Sequence, residues 1–167
     1  CYFDKRLKTT HAHQLAASLV FYSPLQTIFW YDKPSFYHGE PEMEWFENLQ
    51  TVFDDTKVLD GAPGKNITMA RRKGQEWFVA AMTNNEGSEE EIPLTFLDKE
   101  KNYLACIYTD GGEKIKTSTQ VKCTYLLVNA SQTMKFQLKP SGGAAIRLVP
   151  IDRQEMKKYK KYKGERL

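Results

Sequence analysis

Two rhythms of apolar residues divide the chain near Thr51. In the first part Ala12, Leu15, Ala16, Leu19 and Val20 recur at i, i+3, i+4, i+7 and i+8, the single stripe of an amphipathic helix. Thr9 and Thr10 are N-cap candidates for that helix, which runs to about Tyr22. Ser23-Pro24 stops it, because proline disfavours helical geometry in the residue before it. Leu25 to Trp30 is short and largely apolar and predicts a strand covered on both faces. Pro34 ends that segment. Glu40-Pro41 opens a second helix with proline at its first position, and Met43, Phe46 and Leu49, with Trp45 nearby, form its packing side. Helix, buried strand, helix is the rhythm of an α/β barrel or a doubly wound sheet. One such unit cannot close a sheet, so it is expected to dock on strands outside this sequence.

After Thr51 the rhythm changes to short strands separated by turn residues. Asn66 to Arg72, a Lys73-Gly74 turn and Glu76 to Thr83 predict a hairpin. Further strands are expected around Ile92 to Phe96, Tyr103 to Tyr108, Val121 to Val128, Met134 to Leu138 and Ala144 to Val149. Seven or eight strands at this spacing, with no helix among them, predict an antiparallel β-sandwich. The fold class is therefore mixed: an α/β unit over residues 1–50, an all-β sandwich over 51–151, and a polar, basic tail over 152–167 that reads as a frayed terminus or short helix.

Composition changes this picture little. With 167 residues, 41% hydrophobic and 27% charged, the chain is an ordinary soluble type. The net charge is only +3, and much of the basic excess sits at Lys157, Lys158, Lys160, Lys161, Lys163 and Arg166, so the body offers no electrostatic case for nucleic acid. No run is long and apolar enough for a membrane helix. The chain opens on Cys1 rather than Met, so any targeting segment is expected upstream. Cys1, Cys106 and Cys123 give no CxxC spacing. A Cys106–Cys123 disulfide stays open if their strands are neighbours, with buried free thiols as the alternative.

Candidate chemistry is sparse. His11 and His13, two positions apart on a helix, point in different directions and cannot share a ligand; they read as polar surface or interface positions, and His38 as a loop residue. Glu40, Glu42, Glu44 and Glu47 form an acidic cluster that the helix dipole suffices to explain. Asp54-Asp55 reads as a turn. Asn66-Ile67-Thr68 and Asn129-Ala130-Ser131 match the glycosylation triplet, a pattern common by chance. No calcium-loop spacing is present.

Several stretches resemble glycoside hydrolase family 97. They are Leu7-Lys8-Thr9-Thr10 through His13-Gln14-Leu15-Ala16, Ser23-Pro24-Leu25-Gln26, the run from Thr51 to Gly61, Ala70 to Gly74 with Trp77-Phe78-Val79, and Gly142 to Leu148. The similarity covers nearly the whole chain, in order and with matching spacing. It implies an enzyme built of an N-terminal β-sandwich, a central (β/α)8 TIM barrel and a C-terminal β-sandwich, of which this chain is the C-terminal portion: the last α/β unit of the barrel and the complete second sandwich. It also implies cleavage of α-linked galactosides or glucosides, a calcium ion beside the active site, and a periplasmic or outer-envelope setting. The partners are then an α-galactoside or α-glucoside oligosaccharide and the upstream barrel and first sandwich of the same enzyme. Retaining members use an aspartate nucleophile and inverting members a glutamate base, all on barrel segments that would precede Cys1. The catalytic carboxylates and calcium ligands are accordingly expected outside this chain. The resemblance places Trp30, Tyr31 and Asp32 at the rim of the sugar pocket, because Leu25 to Trp30 would be the eighth barrel strand and barrel sites lie at strand C-termini. Phe29 to Pro34 is more similar to the retaining α-galactosidase branch than to its α-glucosidase relatives. A non-catalytic carbohydrate-binding sandwich is the alternative from another class.

Overall fold

The computed structural model describes residues 7–28, 30, 33–112, 114–115, 117 and 119–167. Among these, two helices precede nine strands: α1 (His11–Val20), α2 (Met43–Asn48), β1 (Asp55–Ala62), β2 (Asn66–Lys73), β3 (Glu76–Thr83), β4 (Ser88–Pro93), β5 (Asn102–Asp110), β6 (Val121–Asn129), β7 (Thr133–Leu138), β8 (Gly143–Ile151) and β9 (Lys160–Lys161). Seven strands form one sheet in the order β1-β2-β3-β8-β5-β6-β9, and β4-β7 form a second. All pairings are antiparallel except β6 with β9.

The large sheet is apolar on both faces, and strand periodicity sorts its side chains between two cores. Trp77, Val79 and Ala81 of β3 point to one side with Ile107 of β5 and Ile146 of β8, where Ile92, Met134 and Phe136 of the small sheet cover them. Phe78, Ala80 and Met82 point the other way with Cys106, Tyr108 and Ala145, and there the cover is helical: Leu15, Ala16 and Leu19 of α1 and Trp45 of α2. The sandwich is thus three-layered at its centre, small sheet, large sheet, helices.

The hairpin matches its expected position, with Gly74 at φ +58° in the turn, a conformation that disfavours a side chain. The other expected strands form, shifted by up to a few residues; β4 lies earlier than Ile92 to Phe96, ending at Pro93. The sequence reading lacked β1, an edge strand whose outward residues, including Val58, blur the alternation.

Three expectations are corrected. Leu25 to Ile28 forms no strand among the described residues; Leu25 is 85% exposed. A strand exists by pairing its backbone groups, and none of residues 25–28 pairs with a strand of either sheet. The second helix begins at Met43 rather than at Pro41, with Glu42 as N-cap; its expected packing side holds, Trp45 fully buried and Met43, Phe46 and Leu49 packed half-buried against the same core. The basic tail is docked instead of frayed: after a 3-10 turn over Glu155–Lys158, β9 pairs with β6 and Tyr162 enters the first core, 3% exposed. Its hydroxyl donates to Glu165 O at 2.8 Å and accepts from Lys135 N at 3.0 Å. The lysines point outward, so composition alone concealed the one aromatic anchor.

Truncating that anchor, Tyr162→Ala, is expected to cost about 3 kcal/mol through the lost burial and the cavity left behind. Equilibrium urea unfolding measures it, and a loss below about 1 kcal/mol would place the tail outside the cooperative core.

Candidate functional site

Helix α1 is strapped to the sheet at both ends. Thr10 caps it, its Oγ1 accepting from His13 N at 3.1 Å, while Thr10 N donates to Ser141 O at 3.0 Å. The His13 ring lies 3.0 Å, through Nδ1, from Gly142 O. Gly143 permits this approach: a Cβ there would lie 2.8 Å from His13 Cα and 2.9 Å from Ala81 O. At the other end Arg71 Nε donates to Leu19 O at 3.0 Å, and its guanidinium lies 4.8 Å from the Tyr22 ring centroid. Both histidines therefore occupy interface positions, as expected.

Three segments converge beside α1. Trp30, 5% exposed, sets its ring edge-on to Phe46 at 5.1 Å and to His11 at 5.6 Å. Glu42 is fully buried and accepts a short hydrogen bond from Thr119 Oγ1, itself 4% exposed in the β5–β6 connection. Burial pushes the Glu42 pKa up against the Thr119 hydrogen bond, and the nearby Glu40 charge pushes the same way as burial. Burial likewise lowers the His11 pKa.

A second polar cluster centres on Glu44, two residues further along. Glu44 accepts from Tyr125 OH at 2.8 Å and Tyr108 OH at 3.1 Å, and lies 4.0 Å from Arg147, which forks onto Glu76 at 2.8 and 3.1 Å. The helix dipole is thus not the main account of the acidic cluster: Glu42 and Glu44 fasten α2 to the sheet, and Glu40 accepts from His38 N at 2.8 Å. Glu47 stays exposed. Cys106 and Cys123 share this face but pair diagonally, opposite Tyr125 and Tyr108, and both are free thiols. Burial pushes each thiol up to about 12, with Glu44 adding to the rise. Tyr108 and Tyr125 are raised by the same burial and the same carboxylate.

The two glycosylation-type triplets have structural work: Asn66 Nδ2 donates to Glu90 and Asp60, and Asn129 Oδ1 accepts from Ser131. Asp54 closes a turn, accepting from Gly74 N at 2.7 Å. Outside these clusters an apolar cleft of about 590 Å³ runs between α1 and the β1–β2 hairpin, lined by Phe21, Val58, Ile67 and Met82 among others. Phe21, Leu25, Ile28, Phe36 and Tyr37 are all exposed on the first fifty residues. Of the three expected rim residues only Trp30 can be described, in a packed setting; Tyr31 and Asp32 lie outside the described residues. Among the described residues no group of three or more His, Cys, Asp or Glu side chains is placed to hold a metal ion, and no helix is long and apolar enough to cross a membrane. The buried role of Glu42 and the half-buried role of Glu44 depend on partners distant in sequence; period-two spacing puts Cys106 with Tyr108, and Cys123 with Tyr125, on one face of their own strands, and strand register brings the two pairs together.

The family model described as glycosyl-hydrolase 97 C-terminal, oligomerisation, matches residues 52–149. The chain belongs to glycoside hydrolase family 97, as its C-terminal portion. It is 34% identical over 149 residues to a retaining alpha-galactosidase of Bacteroides thetaiotaomicron, covering 89% of this chain and 22% of that protein. A probable retaining alpha-galactosidase of Streptomyces bingchenggensis is 25% identical, covering 80% of this chain and 20% of its own length. The chain thus spans about a fifth of the curated relatives it matches. Among solved structures, a family 97 enzyme from Pseudoalteromonas sp. strain K8 in complex with acarbose superposes with a TM-score of 0.78 at 33% identity, covering 88% of this chain and 23% of that one. A beta-arabinopyranosidase superposes at 0.67 with 25% identity, covering 88% and 24%. The resemblance read from the sequence is established by these matches, and so is the sandwich.

Two consequences of burial can be measured. Because the folded pKa of Glu42 is raised, its neutral form is favoured: its contribution is full below the ordinary carboxylate pKa and is lost as pH rises through the folded value. Glu42→Gln is therefore expected to be more stable than wild type at neutral pH, with the difference vanishing at acidic pH; a pH-independent difference would contradict the buried carboxyl. Cys106 and Cys123 are expected to resist alkylation by iodoacetamide at pH 8 until the chain unfolds, as read by peptide mass spectrometry. Rapid native labelling of Cys106 would refute its burial, and rapid labelling of the half-buried Cys123 would refute its raised thiol.

Proposed function

We propose that this chain is the C-terminal part of a retaining α-galactosidase, acting on terminal α-galactosidic bonds. The observation that carries the reading is the 34% identity to the Bacteroides thetaiotaomicron retaining alpha-galactosidase over most of this chain. Residues 1–50 form the end of the catalytic TIM barrel, with Leu25 to Trp30 completing its strand when neighbouring strands pair with it. The exposure of apolar Leu25, Ile28, Phe21 and Phe36 supports this, since such residues seek cover from a further layer. Trp30, Tyr31 and Asp32 form the substrate-side stretch, Trp30 as its buried root. The catalytic carboxylates and a calcium ion belong to the upstream barrel, and the enzyme works in the periplasm or outer envelope. The sandwich braces the barrel and contributes to assembly of copies, in keeping with the oligomerisation named for its family.

An α-glucosidase is the second reading, favoured by the Pseudoalteromonas enzyme, 33% identical and solved with acarbose and with panose. A free-standing carbohydrate-binding sandwich is disfavoured because Trp77, the aromatic of its central hairpin, is 5% exposed and stacks on Phe96 at 4.8 Å.

The test is release of nitrophenol from activated α-galactoside and α-glucoside by the parent enzyme, with the anomer of the first product read by NMR. The galactoside is expected to react on the order of 100-fold faster, since a site built around one hydroxyl arrangement leaves polar groups unpaired with the other. The first product should keep the α configuration. Preference for the glucoside, or inversion, would overturn the galactosidase assignment.

A further inference from the structure

The lysine-rich tail is an ordered surface. Tyr162 anchors it in the first core: its backbone N donates to Leu127 O at 3.0 Å, and its carbonyl accepts from Gln132 Nε2 at 2.9 Å. The two residues of β9 pair with Leu126 and Leu127 of β6. Lys157, Lys158, Lys160, Lys161 and Lys163 are all exposed, and no acidic residue lies among them in the chain. Lys158 comes within 3.9 Å of Glu155, and Arg166 is committed to Glu89 at 2.7 and 2.9 Å. Glu165 turns its carboxylate onto the Lys163 backbone N at 2.9 Å. The ammonium groups of Lys157, Lys160, Lys161 and Lys163 have no carboxylate within 4.0 Å among the described residues.

We infer that this strip is a docking surface for an anionic membrane, its lysines meeting the phosphates of lipid headgroups. Four cations without counter-charges share a strip at most about 20 Å long and repel one another. A loose tail would splay to relieve that repulsion; this one is held by Tyr162 and β9, and a negative plane relieves it instead. Three features favour a lipid surface over a soluble polyanion. The cations are lysines, compact hydrated point charges that suit a diffuse layer of phosphates better than one forked phosphate site. The crevice under the strip, between Met156, Lys161 and Asn129, holds about 100 Å³, below the roughly 300 Å³ of a ligand pocket. Tyr162 is buried and Tyr159 half-buried, so the strip has no open aromatic platform for the bases of a nucleic acid. Such docking is independent of which glycoside the parent cleaves.

The experiment mixes the full-length parent enzyme with phosphatidylglycerol–phosphatidylcholine vesicles and, separately, with pure phosphatidylcholine vesicles, and reads bound protein by co-sedimentation. Binding is expected on the anionic vesicles alone. It should fade between about 0.1 M and about 1 M salt, as the Debye length falls from about 10 to about 3 Å. Each lysine near an anionic leaflet strengthens binding about fivefold, so Lys157→Gln, Lys160→Gln and Lys163→Gln together should weaken it on the order of 100-fold. A control with Lys8→Gln, Lys65→Gln and Lys122→Gln removes the same charge from exposed lysines elsewhere and should bind within about twofold of wild type. Both triple variants should keep the wild-type urea midpoint, since all six side chains are exposed. A lowered midpoint in the first variant would make its lysines structural and overturn the docking role. Wild type that ignores anionic vesicles, binds both kinds equally, or loses as much binding in the control variant would also overturn it. Equally tight binding to soluble polygalacturonate or duplex DNA, abolished by the same three tail substitutions, would overturn the membrane as the partner.

Discussion

A seven-stranded sheet with apolar side chains on both faces must be covered twice, and the rest of this structure follows from how each face is covered. On one side the small β4-β7 sheet supplies Ile92, Met134, Phe136 and Leu138. On the other no sheet is available, and the cover is α1 and Trp45 of α2, which precede the sandwich in sequence. Each fully buried aliphatic side chain is worth roughly 1.5–3 kcal/mol. Leu15 and Leu19 of α1 alone therefore outweigh any single polar tie between the helices and the sheet. The family model matches residues 52–149, yet the sandwich core continues into α1 and α2.

The polar contacts give that packing its register. Apolar burial is non-directional, so a helix can slide on a flat sheet at little cost. Thr10 on Ser141, His13 on Gly142 and Arg71 on Leu19 fix α1 along its axis, and Gly143 sets how close it comes. Glu42 and Glu44 do the same for the six-residue α2, too short to be stable by itself. Removing one partner of the buried Glu42–Thr119 pair strands the other, which makes that tie costly to break though modest in net worth.

This arrangement suits a segment that joins two layers of a larger enzyme. One flank of the first fifty residues is committed to the sandwich, while Phe21, Leu25, Ile28, Phe36 and Tyr37 on the other remain exposed. The chain covers about a fifth of its relatives' length. Leu25 to Ile28 forms no strand among the described residues, for a strand takes its identity from the backbone groups beside it.

The amino-acid pattern by itself determined α1 with its Thr10 cap, the β2–β3 hairpin, the run of sandwich strands and the family, because these depend on spacing and turn chemistry within a few residues. Tertiary structure decided the matters that depend on partners distant in sequence. It turned the Glu42 and Glu44 carboxylates inward onto Thr119, Tyr108 and Tyr125, residues more than sixty positions away. It brought Tyr162 of a lysine-rich tail into the core, where a single aromatic ring outweighs the charges around it. It set Cys106 and Cys123 diagonally rather than opposite each other, a matter of strand register. Local periodicity says which face a side chain takes; only the assembled layers say what waits on that face.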